Sequence, residues 1–249
     1  MEETIGERFM RETSYDTQDR SPSDQQKGLP QPPLEAPWDP SQPVLRLPDP
    51  ASLSVPPMGL REAIEARRSV RSYSSEPMSL AELTWLLWVT QGVQARTAER
   101  TYRTVPSGGA RHPFETYLIV RNVTGVQPGI WRYLALEHQL VAVNLAIPDL
   151  MKETVRACAG QAFVEQCAVL FAWVCVPYRV TWRYADRGYR DMHIDAGHVC
   201  QNLYLGAQPI GCGVCAMLAF GDQAFCDLLG LNRKEQWVIY TAAVGKKEL

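Results

Sequence analysis

A basic cluster of three arginines and one serine lies within five residues of this chain, as Arg67, Arg68, Ser69 and Arg71. A guanidinium group presents a planar fork of donors that matches phosphate oxygens, and a serine hydroxyl can donate to the same anion. The cluster follows a stretch of helical periodicity, and cations are also favoured at a helix C-terminus. The pattern alone therefore leaves two interpretations open, a phosphate-binding site and a solvated, charged helix end.

Two segments of small residues could bring the backbone close to a flat or polar ligand. The first contains Ser107, Gly108, Gly109 and Ala110, just before a predicted strand. The second, residues 209–216, has the spacing G-x-G-x-x-A but follows a predicted helix. A dinucleotide-binding fingerprint leaves a strand and opens a helix, so we do not interpret the second segment as one. Taken alone, the first segment is more typical of an ordinary tight turn.

The seven cysteines are an odd number in a long chain, and we interpret them as reduced, buried side chains. Cys212 and Cys215 have C-x-x-C spacing, but no second pair or suitably spaced histidines complete a zinc site. Close packing in a turn rich in glycine and cysteine is the preferred interpretation, and a thiol redox pair is the alternative. We therefore expect no metal site.

Composition excludes several classes of function. The chain has 249 residues, 46% of them hydrophobic, and a formal net charge of -2, which gives no general attraction to nucleic acid or anionic membranes. Its longest apolar run, residues 167–176, has roughly half of the ~20 residues that a spanning helix needs. The acidic N-terminus does not resemble a signal peptide. We expect a cytoplasmic protein without nucleic-acid or membrane partners.

The prolines are concentrated in one segment of the chain, since 11 of the 18 lie between residues 22 and 57. Such a segment cannot form long helices or central strands. Its interspersed apolar residues, including Trp38, Leu45 and Leu47, favour an extended arm on a surface over a disordered lead-in. We therefore divide the chain into a proline-rich arm at residues 1–57 and a globular domain at residues 58–249.

The globular part mixes helices and strands without regular βαβ alternation, which predicts the α+β class. Ser79 and Glu82 form a capping-box pattern that opens a helix, and Gly92 ends it. The other helices are predicted at residues 59–67, 150–159, 191–207 and 222–229, and the strands at 114–120, 130–134, 140–143, 167–176 and 237–244.

Four segments, taken in order, resemble the FMN-dependent nitroreductase superfamily: residues 67–71, 106–113, 195–203 and 211–213. Residues 6–13 and 129–133 also make the chain similar to the SagB-type branch, which is named for dehydrogenases that oxidise thiazolines and oxazolines in peptides. This resemblance implies an α+β flavoprotein with a mainly antiparallel central sheet flanked by helices. It further implies a homodimer that binds FMN at the subunit interface, with NAD(P)H as a transient electron donor.

The resemblance also implies a role for each matching residue. Arg67 and Ser69 would hold the FMN phosphate and ribityl chain, with contacts from Arg68, and Arg71 would lie near the pyrimidine edge of the flavin. Ring-bordering positions are implied for Ser107, Gly108, Gly109, Ala110, Ala216, Met217, Leu218 and Ala219, and Lys246 would reach the phosphate.

One departure from the branch concerns the substrate. Azoline-oxidising members carry a Lys-Tyr pair for proton removal, and this chain has Arg183 and Tyr184 there. Arginine stays protonated and cannot act as a base. Either Tyr184 is catalytic with another partner, or the reaction is not azoline oxidation, and we favour the second.

The function expected from the sequence is an FMN-dependent oxidoreductase that moves hydride through flavin N5 to or from a small organic substrate. Two alternatives stay open. One is a peptide azoline dehydrogenase. The other is a non-catalytic subunit that binds a small molecule or peptide within a biosynthetic complex.

Overall fold

The computed structural model describes residues 2–19 and 21–248. Its helices there are α1 (Ile5–Glu12), α2 (Leu60–Ala66), α3 (Leu80–Gln91), α4 (Leu150–Ala157), α5 (Tyr178–Tyr184), α6 (Gly188–Ala207) and α7 (Asp222–Leu229). Its strands there are β1 (Val44–Arg46), β2 (Val93–Arg96), β3 (Thr101–Arg103), β4 (Phe114–Val120), β5 (Gly129–Leu134), β6 (Gln139–Asn144), β7 (Val169–Cys175), β8 (Cys212–Met217) and β9 (Trp237–Lys246). Within these residues, no helix is both long and apolar enough to cross a lipid bilayer.

The central sheet has seven strands in the order β1-β6-β5-β4-β7-β9-β8, and each pair of neighbours is antiparallel. Strands β2 and β3 form a separate antiparallel ribbon. The predicted α+β class, with a mainly antiparallel sheet flanked by helices, is confirmed.

Helices cover both faces of the sheet. On one face, α3 and α6 pack over Trp173 through side chains such as Leu83 and Leu203. On the other face, α4 and α7 bury Ala157 and Phe225 against the strands. Because successive residues of a strand point to opposite faces, two covered faces leave β4 and β7 buried along their whole length.

Helix α3 begins and ends at the residues that the sequence predicted. The Ser79 Oγ accepts a hydrogen bond from the Glu82 backbone N–H at 3.2 Å, and the Glu82 carboxylate accepts one from the Ser79 N–H at 2.8 Å. This capping box satisfies two backbone donors that a helix start leaves free. Gly92 caps the other end, as predicted.

The prediction of a turn around Cys212 and Cys215 is wrong, because these residues lie in β8 at the edge of the sheet. The small residue at 213 permits close approach between segments. A Cβ on Gly213 would lie 2.7 Å from the Val70 side chain, and the Val70 N–H donates to the Val214 carbonyl at 2.9 Å. The glycine thus lets the residues after α2 run alongside this edge strand.

The proline-rich segment contacts residues that follow it in the chain at several points. The Glu35 carboxylate accepts a hydrogen bond from the Ala135 N–H at 2.6 Å, and the Ala36 N–H donates to the Glu115 carboxylate at 2.7 Å. Further along, β1 pairs with β6 at the other edge of the sheet. Because proline has no N–H to donate, an edge is where a short strand in such a segment can pair.

Candidate functional site

Tyr204 of α6 gathers part of the predicted phosphate site around one side chain. Its hydroxyl lies 2.9 Å from the Ser69 Oγ and accepts a hydrogen bond from the Ala216 backbone N–H at 2.9 Å. The Arg67 guanidinium carbon lies 5.3 Å from the centre of the Tyr204 ring, within cation-π range. The structure therefore joins residues from the basic cluster, α6 and β8. We call Arg67, Ser69, Tyr204 and Ala216 the Tyr204 cluster.

The other two arginines of the basic segment differ in orientation. Arg68 folds back onto its own main chain, where it donates to the carbonyls of Glu65 and Arg67 at 2.8 Å. Arg71 is exposed, and its guanidinium carbon lies 6.0 Å from the Phe163 ring. One guanidinium nitrogen of Arg68 is thus engaged by the backbone, whereas in the described residues the guanidiniums of Arg67 and Arg71 make no hydrogen bond and have all their donors available for an anion.

Lys246 lies apart from this cluster. Its ammonium forms an ion pair with Glu82 and donates to the Ile210 carbonyl at 3.0 Å. Burial lowers the pKa of Lys246, but the hydrogen bond with Glu82 and the nearby charges, including that of Glu82, together outweigh burial, and the pKa is raised. The lysine that was expected to reach the phosphate is thus held by the acid of the α3 capping box.

The residues that follow Ala216 divide between the core and the surface. Met217 is buried at the end of β8, whereas the Leu218 side chain is 71% exposed. Ala219 is exposed, and its carbonyl accepts a hydrogen bond from the Gln161 amide at 2.8 Å. An exposed leucine beside the Tyr204 cluster is a surface that a ligand or another chain can cover.

Asp195 of α6 fixes the turn that contains the adjacent glycines. The Ser107 hydroxyl donates to the Asp195 carboxylate at 2.5 Å, and the Gly108 N–H donates to the same group at 3.4 Å. The Ser107 Oγ also accepts a hydrogen bond from the His112 N–H at 2.8 Å. Burial raises the pKa of Asp195, and the bond from Ser107 opposes this rise. We call residues 107–110 the glycine turn.

Backbone strain is concentrated at this turn. Gly109, Ala110 and His112 have φ values of 58°, 54° and 44°, in the left-handed region. Such a conformation costs a non-glycine residue about 1–2 kcal/mol and persists where the surroundings impose it, often at functional sites. A Cβ on Gly109 would clash with the Tyr184 hydroxyl. The backbone angle therefore favours glycine at 109, and the tyrosine that lies against it leaves no room for a side chain.

Tyr184, the predicted catalytic residue, is the last residue of α5, and the structure brings it to the glycine turn. The Arg183 guanidinium carbon lies 5.5 Å from the centre of the Tyr184 ring. The Asp191 carboxylate also lies against the turn, 3.7 Å from the position that a Cβ on Gly108 would take. Tyrosine, arginine and aspartate side chains thus converge on consecutive residues of the turn.

The Tyr204 cluster and the glycine turn lie on opposite sides of α6. Asp195 and Tyr204 are nine residues apart in this helix. A rise of about 1.5 Å and a rotation of about 100° per residue place them about 13–14 Å apart along the axis and half a turn around it. The Tyr204 cluster and the glycine turn are therefore separated both along α6 and around it.

Sequence comparison identifies the family. The sequence profile of the nitroreductase family matches residues 64–246, and the chain belongs to this family. The nitroreductase-family protein MJ1384 of Methanocaldococcus jannaschii is 35% identical over 188 residues, which cover 76% of this chain and 91% of that protein. The trifolitoxin-processing protein TfxB of Rhizobium leguminosarum bv. trifolii is 32% identical over 118 residues, which cover 46% of this chain and 32% of TfxB.

Solved structures of low identity share the fold. A nitroreductase-type protein of Ralstonia eutropha matches with a TM-score of 0.69 at 23% identity, covering 89% of this chain and 100% of that one. A chain of the Escherichia coli microcin synthetase complex McbBCD, with truncated pro-MccB17 bound, matches with a TM-score of 0.62 at 19% identity, covering 86% and 79%. A Desulfovibrio desulfuricans protein in complex with FMN matches with a TM-score of 0.54 at 16% identity, covering 78% and 88%. Family membership indicates a flavin-dependent oxidoreductase.

Tyr204 is the site residue that the sequence analysis missed, and Asp195 lies in the matching segment 195–203 without a role assigned to it there. Both side chains are buried, at opposite edges of the buried face of α6. A buried tyrosine hydroxyl or carboxylate needs hydrogen-bond partners. Polar residues on the apolar stripe of the helix predicted at 191–207 were therefore the signal that could have indicated these two site residues. It does not indicate which residues are the hydrogen-bond partners, because these come from segments distant in sequence.

Proposed function

We propose that this chain is an FMN-dependent oxidoreductase that exchanges hydride between flavin N5 and a small organic substrate. The observation that carries the proposal is the Tyr204 cluster on an edge strand of a nitroreductase fold. When bound, the flavin supplies the two-electron chemistry, and the protein supplies binding, orientation and electrostatics.

The donors of this cluster fit a flavin phosphate. Arg67 is half-buried. Within the described residues, 2–19 and 21–248, neither Arg67 nor Arg71 forms an ion pair with a carboxylate. Together with the Ser69 hydroxyl, they offer cationic and neutral donors, which is the chemistry of a phosphate site. Arg67 and Ser69 would hold the phosphate end, and the Arg71 cation would stabilise negative charge on the reduced ring.

A homodimer would combine the Tyr204 cluster and the glycine turn, which we call the two half-sites, in one flavin site. Because the Tyr204 cluster and the glycine turn lie on opposite sides of α6, one flavin contacts both if each comes from a different subunit. In a two-fold dimer, the partner subunit's glycine turn would border the ring that this chain anchors through Arg67 and Ser69. Exposed apolar side chains, including Leu60, Ile194 and Leu218, offer surface for such an interface.

The side chains at the turn limit the chemistry of the substrate. Arg183 stays protonated and so cannot remove a proton, whereas the Tyr184 hydroxyl can donate or accept one. An electron-poor acceptor, such as a nitroaromatic or a quinone, needs no dedicated side-chain acid because solvent can deliver its protons. NAD(P)H is the electron donor that we propose for the other half-reaction.

The test of this function is whether FMN binds where proposed. The purified protein, reconstituted with FMN and freed of excess flavin, should show the visible absorption bands of a bound flavin. The double variant Arg67→Ala/Ser69→Ala should lose most of these bands. Arg61→Ala is the matched control, because Arg61 lies in α2 next to the cluster but pairs with Glu65 at an exposed position. A wild-type protein without flavin bands would contradict the proposal and favour the non-catalytic binding subunit.

Peptide azoline dehydrogenation, as in the SagB-type branch, is the second candidate function. The name of TfxB refers to trifolitoxin processing, and the McbBCD neighbour was solved with a peptide bound. This function requires a proton acceptor at the turn, which Tyr184 would be. It predicts that Tyr184→Phe abolishes azoline oxidation while FMN stays bound, and unchanged oxidation in that variant would exclude it.

A further inference from the structure

Arg183 lies against the glycine turn without an acidic partner. Its Nε is 3.4 Å from the position that a Cβ on Gly109 would take, and its guanidinium is held over the Tyr184 ring. The side chain is half-buried. In the part of the chain that the structure describes, its guanidinium makes no hydrogen bond and no ion pair. Five donors in a fixed fork are thus available beside the predicted ring-binding turn.

Neighbouring arginines make this position cationic although the chain as a whole has a net charge of -2. Burial lowers the pKa of Arg111, and the nearby charges of Arg183 and Arg179 lower it further. These two neighbours are buried, whereas Arg183 is half-exposed. The Arg111 Nε donates to the Arg179 carbonyl at 2.7 Å and its guanidinium carbon lies 4.9 Å from the centre of the Trp182 ring, and Arg179 pairs with the buried Glu115. Arg183 is therefore the member of this group that can receive an external anion.

In the described residues, the acids near the turn form no ion pair with Arg183. Asp195 is occupied by Ser107 and Gly108. Asp191 lies against Gly108, where burial raises its pKa and the charge of Arg187 opposes the rise. A helix C-terminus does favour a cation such as Arg183. That preference does not explain why the guanidinium is packed against the turn and the tyrosine.

We propose that Arg183 is a specificity-determining residue that binds an anionic group, a carboxylate or a phosphate, of the molecule that reacts over the flavin. This inference rests on the proposed function and deepens it, because it assigns the charge of the reacting molecule. The planar guanidinium matches either anion through two parallel hydrogen bonds. The anion belongs either to the organic substrate or to the nucleotide donor, and the two half-reactions separate these sources.

The first arm of the test uses two acceptors of similar shape, anionic 4-nitrobenzoate and neutral 4-nitrobenzamide. FMN-loaded protein is reduced anaerobically with dithionite, mixed with either acceptor, and followed by flavin absorbance in a stopped-flow instrument. The nitro group accepts one hydride and one proton and yields a nitroso group and water. A substrate anion at Arg183 predicts faster reaction of the benzoate by about tenfold or more, a preference that Arg183→Gln removes and Arg183→Lys partly keeps.

The second arm measures reduction of the oxidised protein by NADH and by NADPH. A loss in Arg183→Gln that is confined to this half-reaction would assign the anion to a phosphate of the nucleotide. The matched control is Arg96→Gln, which removes an exposed arginine of β2, a strand outside both half-sites. High salt should weaken whichever preference is found, since it screens a partly exposed ion pair.

The outcomes separate this inference from the function on which it rests. Protein that binds no flavin, or flavin-loaded protein that neither acceptor reoxidises, overturns the proposed function and the role of Arg183 with it. Active, flavin-loaded protein whose two half-reactions are unchanged by Arg183→Gln overturns the role of Arg183 alone. A loss in either half-reaction that spares the Arg96→Gln control supports it.

Discussion

The Tyr204 hydroxyl lies 2.9 Å from the Ser69 Oγ, and this contact joins a helix to the basic segment that the sequence singles out. The same hydroxyl accepts a hydrogen bond from the Ala216 N–H, so one oxygen holds two sides of the predicted phosphate site. The Tyr204 ring also lies beneath Arg67. A substitution that removes only the hydroxyl therefore tests the contribution of its hydrogen bonds while the packing of the ring is kept.

Tyr204→Phe should therefore weaken FMN binding without removing the ring. Loss of the two hydrogen bonds, each worth about 1 kcal/mol, predicts roughly a tenfold rise in the FMN dissociation constant or more. Quenching of flavin fluorescence on titration measures this constant. Tyr102→Phe, at a half-exposed position of β3, is the control and should leave it unchanged. An unaltered constant in Tyr204→Phe would mean that the hydroxyl does not organise the site.

Gly109→Ala should cost more stability than the same change at another glycine with positive φ. Gly28 has φ 77° with no atom within 4 Å of its Cβ position, so Gly28→Ala tests backbone strain alone, about 1–2 kcal/mol. Gly109→Ala adds a clash with the Tyr184 hydroxyl. Chemical denaturation measures both free energies of unfolding.

The double variant Gly109→Ala/Tyr184→Phe checks the cause of that difference. Removing the hydroxyl should restore part of the stability lost in Gly109→Ala, because the atom nearest to the new methyl group is gone. Equal costs at Gly28 and Gly109, with no recovery in the double variant, would show that the tyrosine does not press on the turn. The coupling energy from this cycle isolates the contact.

Regular elements were predictable where local chemistry decides them, whereas the contacts that join the site residues were not. The capping box at Ser79 fixes the start of α3 through residues three positions apart, so the sequence predicts it directly. The role of Gly213 depends on Val70, and that of Tyr204 on Ser69 and Ala216. Such partners are distant in sequence, so no local pattern indicates their contact.

The buried carboxyl of Glu35 should make stability depend on pH. Burial and the charge of Glu115 raise the pKa of Glu35 to about 8, and Glu137 contributes to the rise. An acid whose pKa is higher in the folded state contributes stability at low pH and loses it as the pH rises to about 8. Wild-type stability should fall through this range by less than about 1.4 kcal/mol per pH unit from this group.

Glu35→Gln mimics the protonated acid and should flatten that decline. The measurement is the unfolding free energy at intervals from about pH 5 to about 8.5. Glu165→Gln, at an exposed position, should keep the wild-type slope. Equal slopes in wild type and Glu35→Gln would contradict the assignment of this titration to the contact between the arm and the domain.

Complementation between two inactive variants tests whether subunits share the site. Arg67→Ala/Ser69→Ala disables the Tyr204 cluster, and Gly109→Ala disables the glycine turn on the opposite side of α6. If each flavin site takes one half from each subunit, a mixed dimer contains one intact site and one doubly impaired site. Random exchange of subunits should then restore about a quarter of wild-type activity, since half of the dimers are mixed and each has one working site.

The experiment first requires that each variant alone is inactive. Any recovery on mixing after mild dissociation then reports on a composite site. The control mixes Arg67→Ala/Ser69→Ala with a chain that carries those changes and Gly109→Ala together. In that mixture each composite site lacks Arg67 and Ser69, and no activity should return. If the first mixture also stays inactive while subunit exchange is verified by mass spectrometry, both half-sites of one flavin must come from the same chain, against the geometry of Asp195 and Tyr204 on α6.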